Sequence, residues 1–378
     1  MEKNSPIDFD LLRNVVPGWK EAKDSEIEST NLSVFDPETA GLYRVTYKGA
    51  SLAVTYRKLV NEELFKKYRY PSENGIGPKT IYSKFPILIQ EFVEGAGVPG
   101  IENILKPKVY SSLFRELVKF HQISIAPEFS DKDFLTPYLT LSSDEKSQTE
   151  LMKFDKKCTE AQNRSDLTAE EKAHFSKVHK IMEERDFILG IIKPLQKFWC
   201  HCDLHESNLL WNSTTNKVTL IDFEDSAVFF RGFDLANLLS EIEWDIIDEY
   251  PKFKKTGVKI NEEDERRFLM IYTLHWIDPE WESKLATMSI KTEDITPDKI
   301  EELLGEERQR ELFEKTKEEI AKEYVIGRIC SSYFWTIWNV LQFENYETDE
   351  WGFLGVANFK FESYFEAKKR YYDSFVGK

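Results

Sequence analysis

The stretch "HCDLHESN", residues 201–208, sets two histidines, two acids, a cysteine and an asparagine within eight positions. Asp203 and Asn208 stand five residues apart, and Asp222 follows fourteen residues after Asn208, at the end of the apolar run "VTLIDF". That spacing fits phosphoryl transfer. One carboxylate faces a substrate hydroxyl, an amide five positions on turns back to a divalent metal, and a second carboxylate on the next strand holds metal bridging the nucleotide phosphates. Mg²⁺ takes oxygen ligands in an octahedral shell and keeps several waters, so two protein oxygens beside phosphate oxygens suffice. His205, in the same loop, is carried as a third candidate metal ligand. The residues alone leave other readings open. His201, Cys202 and His205 could hold zinc, although the adjacent His201 and Cys202 are poorly spaced and no second Cys/His cluster completes a shell. Cys202 could act as a nucleophile with His205 as its base, with nothing else in the sequence to support it. A plain surface loop accounts for neither the Asp/Asn pair nor the distance to Asp222.

These residues need elements to hold them. The chain has 378 residues, 41% hydrophobic and 14% aromatic, enough for a substantial core and for more than one domain, and too apolar for disorder. "LYRVTYK" (42–48) and "LAVTYRKLV" (52–60) are β-branched and aromatic around "GA" and predict a hairpin. "NEELFKKYRY" predicts a helix ended by Pro71, and "GIGPKTIYSKFPILIQEFVEG" two strands around a turn at Lys84. After Gly95 the pattern turns helical: "PKVYSSLFRELVKFHQI", charged segments at 140–190 and 261–325, an aromatic helix over roughly 322–343 and another near 358–373. "VTLIDF" reads as a short buried strand. The expectation is an α+β chain with a small β-rich lobe, residues 1–93, and a large mainly helical lobe, residues 94–378, joined near Gln90–Gly95.

Charge and cysteine usage narrow the partners. A net charge of −16 argues against a nucleic-acid backbone and weakly suits a cationic small substrate. The four cysteines, Cys158, Cys200, Cys202 and Cys330, form no CxxC pair, which points to a reducing, cytoplasmic setting. The start "MEKNSPIDFD" lacks the basic-then-apolar layout of a signal peptide, and no run of 18 apolar residues predicts a membrane span.

"HxDxxxxN" followed by "IDFEDSAVFFRGFDLANLLSE", residues 221–241, resembles the choline/ethanolamine kinase family, within the protein-kinase-like and aminoglycoside-phosphotransferase-like group. "GIGPK" with "FPILIQEFVEG" is similar to that family's hinge region, and "SSYFWTIWNVLQ" with "FKFESYF" to its C-terminal aromatic helices. The likeness runs in pieces from about residue 41 to 370; the first forty residues and the charged insertions match little. It implies a two-lobed protein-kinase-like fold, with ATP bound by residues 1–93 and catalysis and substrate binding in residues 94–378. It implies Mg·ATP-dependent phosphorylation of a small amino alcohol, choline or ethanolamine, for phospholipid synthesis. By the same resemblance Asp203 takes the place of the catalytic base, Asn208 and Asp222 the metal places, and Glu224 the acidic position of "DFE". Asp234 takes the place of an aspartate that braces the catalytic loop through backbone N–H groups; it could also be a helix N-cap, since "FDLANLL" begins a helix. Asn237 and Glu241, four apart, share a helix face that is otherwise read as solvated. His201 is expected to buttress the loop, and His121 to be a satisfied structural histidine.

On the nucleotide side, "PETAGLYRV" offers one glycine, Gly41, where the family is richer, and Thr55 stands where a basic residue is expected. Arg57, two residues on and on the same strand face, is the favoured phosphate-side cation, with Glu62 or Glu63 as its partner. Gln90, Glu91, Phe92 and Val93 would offer backbone groups to adenine, or simply form a buried strand. On the substrate side, Trp335 and Trp338 share a helix face that Gln342 continues, either as a cation-binding wall or as ordinary core. Glu224, Asp225, Glu350 and Trp351 are further candidates, and Trp244 a looser one. The sequence departs from the family at several points: Asp225 for Tyr, Phe229 for Asn, Cys202 for Asn, His205 for Gln, and Val356 for a pocket aromatic. The two tryptophans favour choline; Asp225 could shift preference toward a smaller ammonium. The alternatives are a kinase of another small alcohol, such as an aminoglycoside, and a catalytically weak nucleotide-binding scaffold. The expected partners are a small-molecule substrate and no nucleic acid, with no membrane span and a homodimer among the assemblies allowed.

Overall fold

The structure, a computed structural model, describes residues 7–33, 40–57, 62–131, 133–142, 148–246, 252–343 and 352–377. The chain divides into two compact units, Met1–Phe120 with Ser207–Glu224, and His121–Glu206 with Asp225–Lys378.

The first unit is built on a five-stranded antiparallel sheet of β1 (Glu28–Asn31), β2 (Ala40–Tyr47), β3 (Ala50–Arg57), β4 (Thr80–Lys84) and β5 (Ile87–Glu91), in the order β1-β2-β3-β5-β4. Alternation decides its faces. Tyr43, Val45 and Tyr47 of β2 point inward with Leu52 and Val54 of β3, while Leu42, Arg44 and Thr46 point outward. Lys48 and Gly49 close the β2–β3 hairpin with φ of 50° and 81°, the positive-φ pair that matches the strands' twist. The N-terminal residues, unmatched in the sequence reading, supply β1, a short helix Phe9–Val15 capped by Asp8, and Leu12, Val16 and Trp19 for the core beneath the sheet. Helix α1 (Glu62–Glu73) does not end at Pro71. It runs two residues further, to Glu73, with Pro71 forgoing one i→i−4 bond in its last turn.

Among the described residues six more strands follow in two-stranded ribbons: β6 (Phe198–Cys200), β7 (Leu209–Asn212), β8 (Lys217–Leu220), β9 (Ala227–Phe229), and the pair Trp244–Ile246 with Phe253–Lys255. β7 pairs with β8 in the first unit, and β6 with β9 in the second. Helix α2 (Pro107–Gln122) carries the predicted apolar spacing.

The second unit is mainly helical: α3 (Gly232–Glu241), α4 (Glu262–Ile277), α5 (Glu307–Gln342) and α6 (Phe353–Tyr371), with shorter helices over Glu150–Ala161, Ala169–His179 and Arg185–Ile192. The aromatic helix expected from about residue 322 starts at Glu307, because "ERQRELFEKTKEEIAKE" consists largely of strong helix formers without a breaker. The charged segment 140–190 is amphipathic. Leu151, Phe154, Phe175 and Ile188 join a core with Phe229, Phe233, Tyr333 and Phe361. Truncating Phe154 to alanine there would cost about 3–5 kcal/mol. Helices α3 and α5 touch backbone to backbone: a Cβ on Gly232 would meet the Glu323 carbonyl carbon at 2.3 Å, and one on Gly327 the Gly232 carbonyl oxygen at 2.2 Å. Beside that joint Arg231 Nε donates to Glu323 Oε2 at 2.9 Å, both buried, and the guanidinium lies 4.2 Å from the Trp276 ring centroid. All four cysteines are buried thiols in this unit. Among the described residues no helix is long and apolar enough to cross a membrane.

Candidate active site

In the second unit, strand β6 delivers the chain to His201, and the loop after it is held from below. Asp234 is fully buried on α3. Its Oδ2 accepts from His201 N at 2.7 Å and its Oδ1 from Cys202 N at 2.8 Å, so one carboxylate fixes two successive peptide planes. The N-cap of α3 is Arg231, and Asp234 lies three residues inside the helix; the capping alternative is corrected. His121 Nε2 faces Asp234 Oδ2 at 2.9 Å and its Nδ1 meets the Tyr272 hydroxyl at 2.7 Å. Burial lowers the His121 pKa despite the carboxylate, so the ring is neutral. A carboxylate only accepts, which places the proton on Nε2 and leaves Nδ1 to accept from Tyr272. His121 is thus a satisfied core histidine. Cys202, at φ 65°, takes a conformation rare outside glycine and is held there by its bond to Asp234.

Above this brace Asp203 remains 26% exposed, with His205 Nε2 at 3.5 Å from its Oδ2. Burial disfavours the His205 charge, but the Asp203 hydrogen bond and the charges of Asp203, Glu206 and Glu241 outweigh it and push its pKa up to about 9. Among the described residues, the cluster of three metal-ligand types that closes within 4.8 Å is His121, Cys200 and Asp234, not the zinc trio His201, Cys202 and His205. Asp234 is already occupied by the loop, and burial raises the Cys200 thiol well above its usual range. Cys202 is 1% exposed within the core, a poor place for a nucleophile.

The same unit holds the two tryptophans. Trp335 and Trp338 are half-buried on α5, edge to face with centroids 5.1 Å apart, and Trp338 stands 6.0 Å from Phe353. The Asn237–Glu241 face of α3 is not solvated as the simpler reading had it. Asn237 is fully buried, and Glu241 pairs with Lys360 at 2.6 Å. Asp225 is exposed, and Val356 is buried. Trp244 packs edge to face with Phe359 at 5.2 Å. Glu350 and Trp351 lie outside the described residues.

In the first unit, the β7–β8 hairpin explains the fourteen-residue spacing. Leu209 pairs with Leu220, and Ile221 N donates to the Asn208 carbonyl at 3.0 Å, so the hairpin returns the chain to Asn208 just before Asp222. Asp222 takes φ 59°, and its Oδ1 accepts a short hydrogen bond from the Tyr68 hydroxyl of α1. Phe223 anchors the turn against Tyr68 and Phe120, close over Gly77, where a Cβ would meet its ring at 2.7 Å. Lys67 Nζ donates to the Glu224 carbonyl at 2.7 Å. Tyr68 and Lys67 were not found from sequence: helical spacing puts Tyr68 with Phe65 on the buried face of α1, but gives no hint of a partner 154 residues away.

On the sheet, Gln90 makes long contacts, 3.5 Å to the Pro78 carbonyl and 3.4 Å to Thr80 Oγ1, and Glu91 stands 3.7 Å from Lys79. Phe92 lies under the Arg44 guanidinium at 4.6 Å, which also pairs with Glu94 at 2.9 Å; Val93 follows, half-buried. Glu62 is exposed and accepts from Phe85 N at 3.0 Å. The Arg57 backbone belongs to β3, but its side chain lies outside the described residues.

The family model described as choline/ethanolamine kinase matches residues 52–365. A human choline/ethanolamine kinase is 28% identical over 180 residues, covering 46% of this chain and 39% of that protein. A probable ethanolamine kinase of Arabidopsis thaliana is 28% identical over 182 residues, covering 46% of this chain and 42% of the relative. Less than half of each relative's length is thus spanned. A crystal structure of choline kinase from Cryptosporidium parvum superposes with a TM-score of 0.63 at 18% identity, covering 97% of this chain and 96% of that one. The fold is therefore the protein-kinase-like α+β arrangement that the motifs implied. With a family match over most of its length, the chain belongs to the choline/ethanolamine kinase family.

Proposed function

We propose that this chain is a cytoplasmic kinase that transfers phosphate from Mg·ATP to the hydroxyl of choline or ethanolamine, with residues 1–93 serving the nucleotide and residues 94–378 catalysis and the amine. The observation that carries the reading is a carboxylate that is reachable yet fixed: Asp203 stays a quarter exposed on a loop whose backbone is clamped by buried Asp234. A general base needs that combination, since it must meet a substrate hydroxyl at hydrogen-bond distance in one geometry.

In this reading Asp203 orients the hydroxyl and takes its proton. Asn208 and Asp222 offer an amide and a carboxylate oxygen, a hard donor set suited to Mg²⁺ and not to zinc. Bound there, Mg²⁺ would offset phosphate charge that this acidic chain does not neutralise by itself. Trp335 and Trp338 present aromatic faces to the ammonium group. Their half-buried edge-to-face pair favours a cationic amine over the hydroxyl-rich sugars of an aminoglycoside.

The test is ADP release with choline, ethanolamine, their N-methylated intermediates and an aminoglycoside, on wild type and Asp203→Ala. Turnover with one or more of the simple amines, lost in the variant, is expected. Mg·ATP binding without ADP release on any amine would leave a nucleotide-binding scaffold, and turnover on the aminoglycoside alone would reassign the substrate.

A further inference from the structure

Asn237 is fully buried on α3 and engages three groups at once. Trp335 Nε1 donates to its Oδ1 at 2.7 Å, Ser331 Oγ donates to the same oxygen at 2.9 Å, and its Nδ2 donates to the Leu204 carbonyl at 3.3 Å. The partners dictate which way the amide faces. An indole N–H only donates and a backbone carbonyl only accepts, so exchanging the amide oxygen and nitrogen would break both bonds. Asparagine supplies an acceptor and a donor at this reach. Aspartate would turn a bare carboxylate toward the Leu204 carbonyl, and leucine would leave buried polar groups unmatched.

Both ends of this bridge carry function in the reading above. Leu204 lies between Asp203 and His205, and Trp335 is half of the tryptophan pair. The two segments are far apart in sequence, and one side chain spans them. Its own base is fixed as well, because α3 meets α5 at Gly232 and Gly327 with no room for a side chain between them.

We propose that Asn237 is a positioning residue that keeps the Trp335 indole in register with the catalytic loop at Asp203. The ammonium end and the hydroxyl end of one small amino alcohol are then presented together. The proposal rests on the amine-kinase reading. It predicts an effect on the amine and not on ATP, and it predicts that Asn237 and Trp335 act as one unit.

The experiment is steady-state kinetics with choline and ethanolamine on wild type, Asn237→Ala, Trp335→Phe and the double variant. Trp335→Phe keeps an aromatic face and removes the indole donor. Asn237→Ala is expected to lower kcat/KM for the amine about tenfold or more, with KM for ATP changing less than about twofold. Trp335→Phe should cost less, and the double variant should be no worse than Asn237→Ala. The indole ¹⁵N–¹H resonance of Trp335, assigned by its loss in Trp335→Phe, should shift in Asn237→Ala without any ligand. If Asn237→Ala fails to fold, the cycle is run with Ser331→Ala, and the same non-additivity is expected. Multiplicative losses, an equal rise in both KM values, or an unmoved indole resonance overturns the proposal while leaving the amine-kinase reading intact. A wild type that phosphorylates no amine overturns both.

Discussion

The loop at 201–206 and the strand β5, which lies between β3 and β4, are held in opposite ways. Beneath the loop Asp234 and Asn237 make buried, matched contacts: one carboxylate on two backbone N–H groups and an imidazole, one amide on a carbonyl, an indole and a hydroxyl. Along β5 the contacts are long or exposed, with Gln90 reaching its partners at 3.4–3.5 Å and Glu91 facing Lys79 across 3.7 Å. In a low-dielectric interior an unmatched polar group is costly, so the buried set has one acceptable arrangement. Water screens the exposed set and lets it rearrange at little cost. The geometry around Asp203 is thus fixed before any ligand arrives, and the strand expected to meet the nucleotide keeps side chains that a ligand can rearrange.

Substitutions can break this contrast, the largest effects coming from the loop. Asp203→Ala should cut turnover by about 10²–10⁴ with Mg·ATP binding retained, measured by ADP release and nucleotide titration. Near-normal turnover would remove Asp203 from the chemistry. Asp234→Ala orphans two backbone N–H groups and the His121 ring, and should lower stability by about 3 kcal/mol or more in urea unfolding. A loss below about 1 kcal/mol would show that the brace is dispensable. Trp338→Leu should raise the KM for choline roughly tenfold and leave that for ATP alone, the size expected of a partly desolvated cation–π contact.

The next effect is a slope. His205 gains proton affinity on folding, from the ordinary value near 6.5 to about 9, so its contribution is complete below about 6.5 and fades as pH rises toward 9. In metal-free buffer, wild-type stability should therefore fall across that window, and His205→Gln should flatten the fall. Parallel curves for the two proteins would assign the slope to another group. The smallest effect belongs to the first unit: Glu62→Ala, losing one exposed bond to Phe85 N, should shift the unfolding midpoint by no more than about 0.5 kcal/mol.

Much of this architecture was legible in the sequence where period and punctuation agree. Alternating residues around Gly49 gave β2 and β3, and the apolar run "VTLIDF" read as a short strand is observed as β8, Lys217–Leu220. Other parts were not. β1 is the polar "ESTN", exposed along its whole length, and owes its strand conformation to pairing with β2. The spacing of Asn237 and Glu241 put them on one face of α3 but could not say which face, and the buried answer depends on Ser331 and Trp335 on another helix. Tyr68 on Asp222 is a pairing across 154 residues, for which local pattern carries no signal. Pro71 stands two residues before the end of its helix at Glu73: so near the C-terminus it costs one ladder bond without stopping the chain at once.

The four buried thiols turn this architecture into something that can be timed. All belong to the helical unit, and burial holds Cys158, Cys200 and Cys330 above their usual acidity range. A thiolate attacks a disulfide reagent and expels its other sulfur as the leaving thiolate, so each buried thiol reacts only when its surroundings open. Cys200 and Cys202 flank His201, Cys158 sits on the helix Glu150–Ala161, and Cys330 on α5. The order in which they are modified is a record of where this unit first breathes, written by the protein without an added label, while the cysteine-free sheet unit stays silent.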